Sequence, residues 1–227
     1  MQYSNSFLSE LLRDTKNDNW IIFSLIGIAI AYVGIKLIYG RFWRRYRQAL
    51  LYNQETNKLI KEKNVLLMQA AVSMNVMAIF SGSMFVFLFL IRFNIFESLQ
   101  NTFYGWMLVT LFVILIFGGK YLLNIILGYL GSNVIATNQI NHQWLINIKN
   151  FGFFLLPFSI VATFISSPMD GIVFFMGLFV LIFMLIMNYI KGFAILFQYR
   201  ISIYYGILYL CTLEILPVLI VWKLIQE

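Results

Sequence analysis

Long apolar runs separated by short polar breaks set the pattern of this chain. The runs are 20–39, 65–91, 103–127, 148–165, 172–190 and 201–223. None alternates apolar with polar positions, and each is longer than the roughly 3–10 residues of an ordinary strand. A helix needs about 20 apolar residues to cross the hydrocarbon of a bilayer. The pattern therefore predicts an all-α, polytopic integral membrane protein, a bundle of six transmembrane helices. Residues 1–19 are a polar N-terminal segment whose Phe7, Leu8, Leu11 and Leu12 fall at helical spacing, as in a helix lying on a membrane surface. Residues 20–227 are a single six-span domain with one sizeable polar connection, the basic loop 40–64. Residues 128–147 read as a loop or interfacial turn, 191–200 as a brief turn or a continuation of the helix, and 166–171, with Pro168, as a tight hairpin.

Composition agrees with that pattern. The chain is 61% hydrophobic and 11% charged, with mean hydropathy +0.84. A soluble domain carries roughly 25% charged residues to cover its surface. The net charge of +7 does not point to nucleic acid, because the basic residues sit beside apolar runs and not on a water-exposed domain. It points to topology and to anionic headgroups. With loop 40–64 in the cytoplasm, Lys36, Arg41, Arg44, Arg45, Arg47, Lys58, Lys61, Lys63, Lys120, Lys149, Lys191 and Arg200 fall at inner ends. Arg13, Lys16, Arg92 and Lys223 fall at outer ends, so the 16 basic residues divide twelve to four. Both termini are then periplasmic. Trp20, Trp106 and Trp222 mark outer boundaries, and Trp43 and Trp144 inner ones. Because the arginines follow the first run, that run is expected to remain as a span and not to be cleaved as a signal.

Glu214 is the ionisable group deepest in an apolar run. At 1.5 Å per residue it lies roughly 21 Å from Arg200, past the middle of the core. A charge there costs several kcal/mol, so the carboxyl must be protonated, paired or wet. Pro217 cannot donate to the carbonyl of Leu213, and a free carbonyl appears beside the carboxyl. The pair could hold a proton or a cation, or simply bond a neighbouring helix. Ser81, Ser83, Thr110 and Thr163 come out at similar depth and complete the candidate intramembrane polar site. Lys120 comes out near the inner boundary, too far for a salt bridge to Glu214. It is expected to share an inner polar layer with Asn124, Asn188, Gln69 and Lys191.

Other chemistry is thin. His142 is the single histidine and reads as a solvated loop residue; Cys211 is the single cysteine. The chain contains no Walker loop, GxSxG, HExxH or CxxC. No catalytic, cofactor-binding or metal residue is assigned, and no cofactor is expected. Arg41, Arg44, Arg45 and Arg47, interleaved with Phe42, Trp43 and Tyr46, are candidate headgroup or partner contacts; the loop could equally do no more than enforce topology. Small residues mark expected helix contacts: Gly27, Ala31 and Gly34; Ala78 and Gly82; Gly118 and Gly119.

The C-terminal segment carries a resemblance. Tyr199, Arg200, Tyr205 and the stretch Leu208-Tyr209-Leu210-Cys211-Thr212-Leu213-Glu214-Ile215-Leu216-Pro217 resemble the ending of a family of multi-pass Bacteroidota proteins, domain of unknown function 4271. The resemblance covers the chain from the second span onward and implies a Gram-negative inner membrane. It transfers no activity and no catalytic residue. The leading expectation is a non-catalytic inner-membrane subunit or assembly factor of an envelope complex. Its partners would be the lipid bilayer and other inner-membrane proteins, not nucleic acid. The alternatives are a proton- or cation-coupled transporter using Glu214, and a membrane enzyme acting on a lipid.

Overall fold

The computed structural model describes residues 19–51, 65–93, 102–130, 134–165 and 169–198. They form five helices: α1 (Asn19–Leu51), α2 (Val65–Arg92), α3 (Phe103–Leu130), α4 (Val134–Phe164) and α5 (Met169–Gln198). All five are long and apolar enough to cross a membrane, and no strand occurs among the described residues. The bundle is thus all-helical and compatible with a membrane protein. The sixth apolar run, 201–223, lies outside the described residues, as does segment 1–18.

The apolar runs set where helices form, but several helices extend beyond them. Segment 128–147 is not a loop: α3 continues to Leu130, and α4 begins at Val134. The reason is visible in the side chains. Asn141 and Asn147 meet amides on neighbouring helices, so their polarity is satisfied inside the bundle and not by water. Gly128 adds close approach, since a Cβ there would come within 2.7 Å of Thr137 Oγ1 of α4. Likewise α5 runs through Gln198, so of the two readings of 191–200, a turn or continued helix, the helix holds as far as the described residues reach. The helix of the first span also continues past residue 39, into the basic loop, as far as Leu51. Non-helical angles at Tyr39 (φ −115°, ψ 26°) separate its two parts. Residues 41–51 contain no Gly or Pro to stop a helix.

α4 is the hub. It packs against each of the other four helices, whereas α3 and α5 barely touch one another. Directions alternate along the chain. Asn147 opposes Asn188, and Phe158 opposes Gly177, so α4 and α5 are antiparallel in one register. Asn124 opposes Asn141 and Phe117 opposes Trp144, so α3 and α4 are antiparallel too. One end of the bundle therefore collects Lys36, Lys120 and Lys191, whereas Lys149, expected at an inner end, stands at the midpoint of α4 because that helix begins at Val134 and not at 148. The other holds Arg92 and Asp170, which form an ion pair between α2 and α5.

α2 and α4 run parallel and make the closest contact. A Cβ on Gly152 would collide with the backbone of Ala78 and come within 2.6 Å of the Ala78 Cβ. Ser81 Oγ donates to the Gly152 carbonyl at 2.9 Å across the same contact. The other expected small-residue contacts differ. A Cβ on Gly27, Gly34, Gly82, Gly118 or Gly119 meets nothing within 4 Å among the described residues. Those glycines sit on outward faces of the described bundle, because the large residues beside them supply the packing. Around α2 the main core joins Ile21, Leu25, Met74, Met84, Phe87, Trp106 and Ile146.

Gly152→Ala should lower stability by about 1–3 kcal/mol, the usual cost of overpacking a closed contact. Gly118→Ala should stay within about 0.5 kcal/mol. Unfolding of the detergent-solubilised chain by titration with a denaturing detergent measures both; equal effects would mean that α2 and α4 do not approach closely at Gly152.

Candidate functional site

Two polar sets lie inside the bundle, and they differ in character. The first holds three of the residues expected at mid-span. Ser83 is fully buried on α2. Its hydroxyl receives the Trp106 indole N–H at 3.2 Å, lies 2.9 Å from Thr110 Oγ1, and donates to the Phe80 carbonyl at 3.0 Å. Two residues earlier, Ser81 lies 3.3 Å from the Tyr32 hydroxyl. Since Ser81 gives its one proton to Gly152 or Ala78, Tyr32 is the donor to Ser81. Thr163 stands apart. It bonds the Ser159 carbonyl of its own helix at 2.8 Å. The structure thus brings Ser81, Ser83 and Thr110 into bonds that tie α1, α2, α3 and α4 together. Each of these hydroxyls has a partner within the bundle, so the set works as interhelical glue. Glu214 and Pro217 lie outside the described residues. Arg41, Arg44, Arg45 and Arg47 lie on the far part of α1, beyond Tyr39.

The second set lies at the lysine-bearing end, and its core is the first half of α4. Asn141, Gln143, Asn147, Lys149 and Asn150 are all buried there. Helical spacing accounts for this: Gln143, Asn147 and Asn150 share one face, and Asn141 and Lys149 lie on another side. Asn124 Nδ2 donates to Asn141 Oδ1 at 2.6 Å, and Asn147 Nδ2 donates to Asn188 Oδ1. Asn150 bonds back to the Ile146 carbonyl at 3.0 Å. Lys149 and Lys191 are each only 7% exposed. Lys120 Nζ lies 5.6 Å from the centre of the Trp144 ring and 5.8 Å from that of Tyr189. Two amide atoms in this layer, Asn124 Oδ1 and Gln143 Nε2, have no hydrogen-bond partner among the described residues, although their residues are 0% and 2% exposed.

Of the expected inner polar layer, Lys120, Asn124, Asn188 and Lys191 all fall in this second set. Gln69 is exposed, with its carbonyl receiving Ser73 Oγ at 2.9 Å. His142 is helical and not in a loop, although its side chain is exposed. Sequence reasoning missed Asn141, Gln143, Asn147, Lys149 and Asn150 as a buried group. The available signal was the spacing of Gln143, Asn147 and Asn150 by four and three residues, which a window average of hydropathy hides.

The layer can bind polar or anionic groups. Amides offer both donors and acceptors, and lysines offer positive charge and donors. Among the described residues no group of three His, Cys, Asp or Glu comes together to hold a metal. The described acidic residue, Asp170, sits at the opposite end of the bundle.

The model of one family, described as Domain of unknown function (DUF4271), matches residues 21–225. No curated protein and no solved structure matches the chain.

Asn147→Leu should strand the buried Asn188 amide and lower stability by about 1–2 kcal/mol. Adding Asn188→Leu should recover part of that loss, because two apolar side chains leave no polar atom unmet. Denaturing-detergent titration of the two single variants and the double variant tests this, and strictly additive losses would contradict the pairing.

Proposed function

We propose that this chain, which belongs to the DUF4271 family, is a non-catalytic subunit or assembly factor of an envelope complex in the bacterial inner membrane. In this reading the chain crosses six times, with its basic ends toward the cytoplasm. The observation that carries the reading is the open small-residue faces. Gly27 and Gly34 on α1, and Gly118 and Gly119 on α3, present faces where an added Cβ meets nothing among the described residues. Lipid supplies no hydrophobic drive between helices, so flat faces of small residues are where another helix gains most from close approach. The helical part of α1 beyond Tyr39 adds four arginines within seven positions, a surface suited to headgroups or an acidic partner.

The carrier reading draws on a different observation, the buried amide and lysine layer of α4. Polar groups inside membrane spans mark functional pathways by default. In that reading Glu214 would carry the proton or cation.

Native gels of membranes from the host test the leading reading. The tagged chain should migrate in a complex of fixed composition. Gly27→Leu with Gly34→Leu should shift it to the mass of the free chain. Val33→Phe, on another side of α1, should leave the complex intact. A free chain in wild-type membranes sinks the subunit reading. Loss of host function in Glu214→Gln with the complex preserved would instead support the carrier.

A further inference from the structure

We propose that the part of α1 beyond Tyr39 is a surface helix that binds anionic phospholipid, with its aromatic side toward the acyl chains and its arginine side toward the phosphates. This rests on the first run crossing the membrane, as in the function proposed above, and not on a subunit role. It chooses headgroups over an acidic partner.

The place where α1 breaks is the first observation. Its apolar span is Asn19–Gly40, 22 residues. A helix of that length reaches about 33 Å, and the hydrocarbon core is about 30 Å thick. The crossing is therefore complete where the non-helical angles at Tyr39 interrupt the helix. The chain then stays helical to Leu51. Covalent continuity puts the start of this second rod at the membrane boundary, and the kink frees its axis from that of the span.

The pattern along the second rod is the other observation. At about 100° per residue, Arg41, Arg44, Arg45 and Arg47 fall within an arc of about 160°, with Gln48 among them. Phe42, Trp43, Tyr46, Ala49 and Leu50 fall within an opposite arc of about 120°. Leu51, the last helical residue, is the one apolar position on the arginine side.

Those two sides decide the partner. An acidic protein would match the arginines and leave three aromatic positions and a leucine unaccounted for. A bilayer surface meets both sides at once. Rings and leucine gain by entering the acyl boundary, the level that Trp and Tyr favour. Guanidinium forks match phosphate oxygens in pairs. Anionic headgroups add an attraction that zwitterionic ones lack.

Electron paramagnetic resonance of the full chain in nanodiscs tests the proposal. Spin labels go one at a time on Phe42→Cys, Tyr46→Cys, Leu50→Cys, Arg44→Cys and Gln48→Cys, each in a Cys211→Ser background. Unchanged circular dichroism and elution volume would show that each variant is folded. With phosphatidylglycerol present, labels at 42, 46 and 50 should respond to oxygen, which concentrates in lipid. Labels at 44 and 48 should respond to a water-soluble nickel chelate, and the ratio of the two responses should differ several-fold between the sets. Replacing phosphatidylglycerol by phosphatidylcholine should cut the ratio at 46 to roughly half, as the electrostatic attraction is lost. Changing Arg41, Arg44, Arg45 and Arg47 together to Gln should remove that lipid dependence. One ratio at all five positions would overturn the surface helix. Nickel access throughout would overturn lipid binding and leave the arginines to an acidic protein. Equal ratios at 46 in the two lipids would overturn the anionic preference. A free chain on native gels sinks the subunit reading without touching these outcomes.

Discussion

The contact between α2 and α4 at Gly152 governs how this bundle is put together. In water, two helices gain by hiding apolar surface; in hydrocarbon that gain vanishes, and proximity has to come from shape. Gly152 supplies the shape. With no side chain there, the backbone of α4 reaches Ala78, and Ser81 can close the contact with a hydrogen bond. Once α4 is held against α2, its remaining faces are available to α1, α3 and α5, and each of them uses one.

The polar groups are placed as hydrocarbon surroundings would require. A hydroxyl or amide in hydrocarbon has no water to turn to, so it has to find a partner in another helix or in its own backbone. At mid-span this chain uses short hydroxyls, which turn inward at Ser81, Ser83 and Thr110 with little bulk. At the lysine-bearing end it uses long amides, which reach further and join α3 and α5 to α4. The hydroxyl set is satisfied within the chain. The amide layer keeps two buried atoms that meet no partner among the described residues.

Much of the fold was legible because the apolar runs are longer than any strand and match the width of a membrane. Val65–Arg92 and Phe103–Leu130 differ from the apolar runs at 65–91 and 103–127 by only a few residues. The start of α4 was not legible, for a physical reason. Hydropathy records what a residue prefers when alone. Asn141 looks like a loop residue until Asn124, far away in sequence, is set beside it. The hydroxyls of Ser83 and Thr110 could be placed by depth alone, because neighbouring spans begin at recognisable boundaries. The stripe from Asn141 to Asn150 could not, because its true boundary lay hidden inside what looked like a polar connection.

α4 also carries Pro157 within its C-terminal half, and the helix runs through it unbroken. Proline lacks an amide proton, so one rung of the ladder, to the carbonyl of Phe153, is missing. A rod with a missing rung resists bending least at that point. The N-terminal half of α4 is anchored by its amides to α3 and α5, whereas Pro157 itself faces outward. A load applied along the bundle would therefore flex α4 near Pro157 before it disturbed the anchored half.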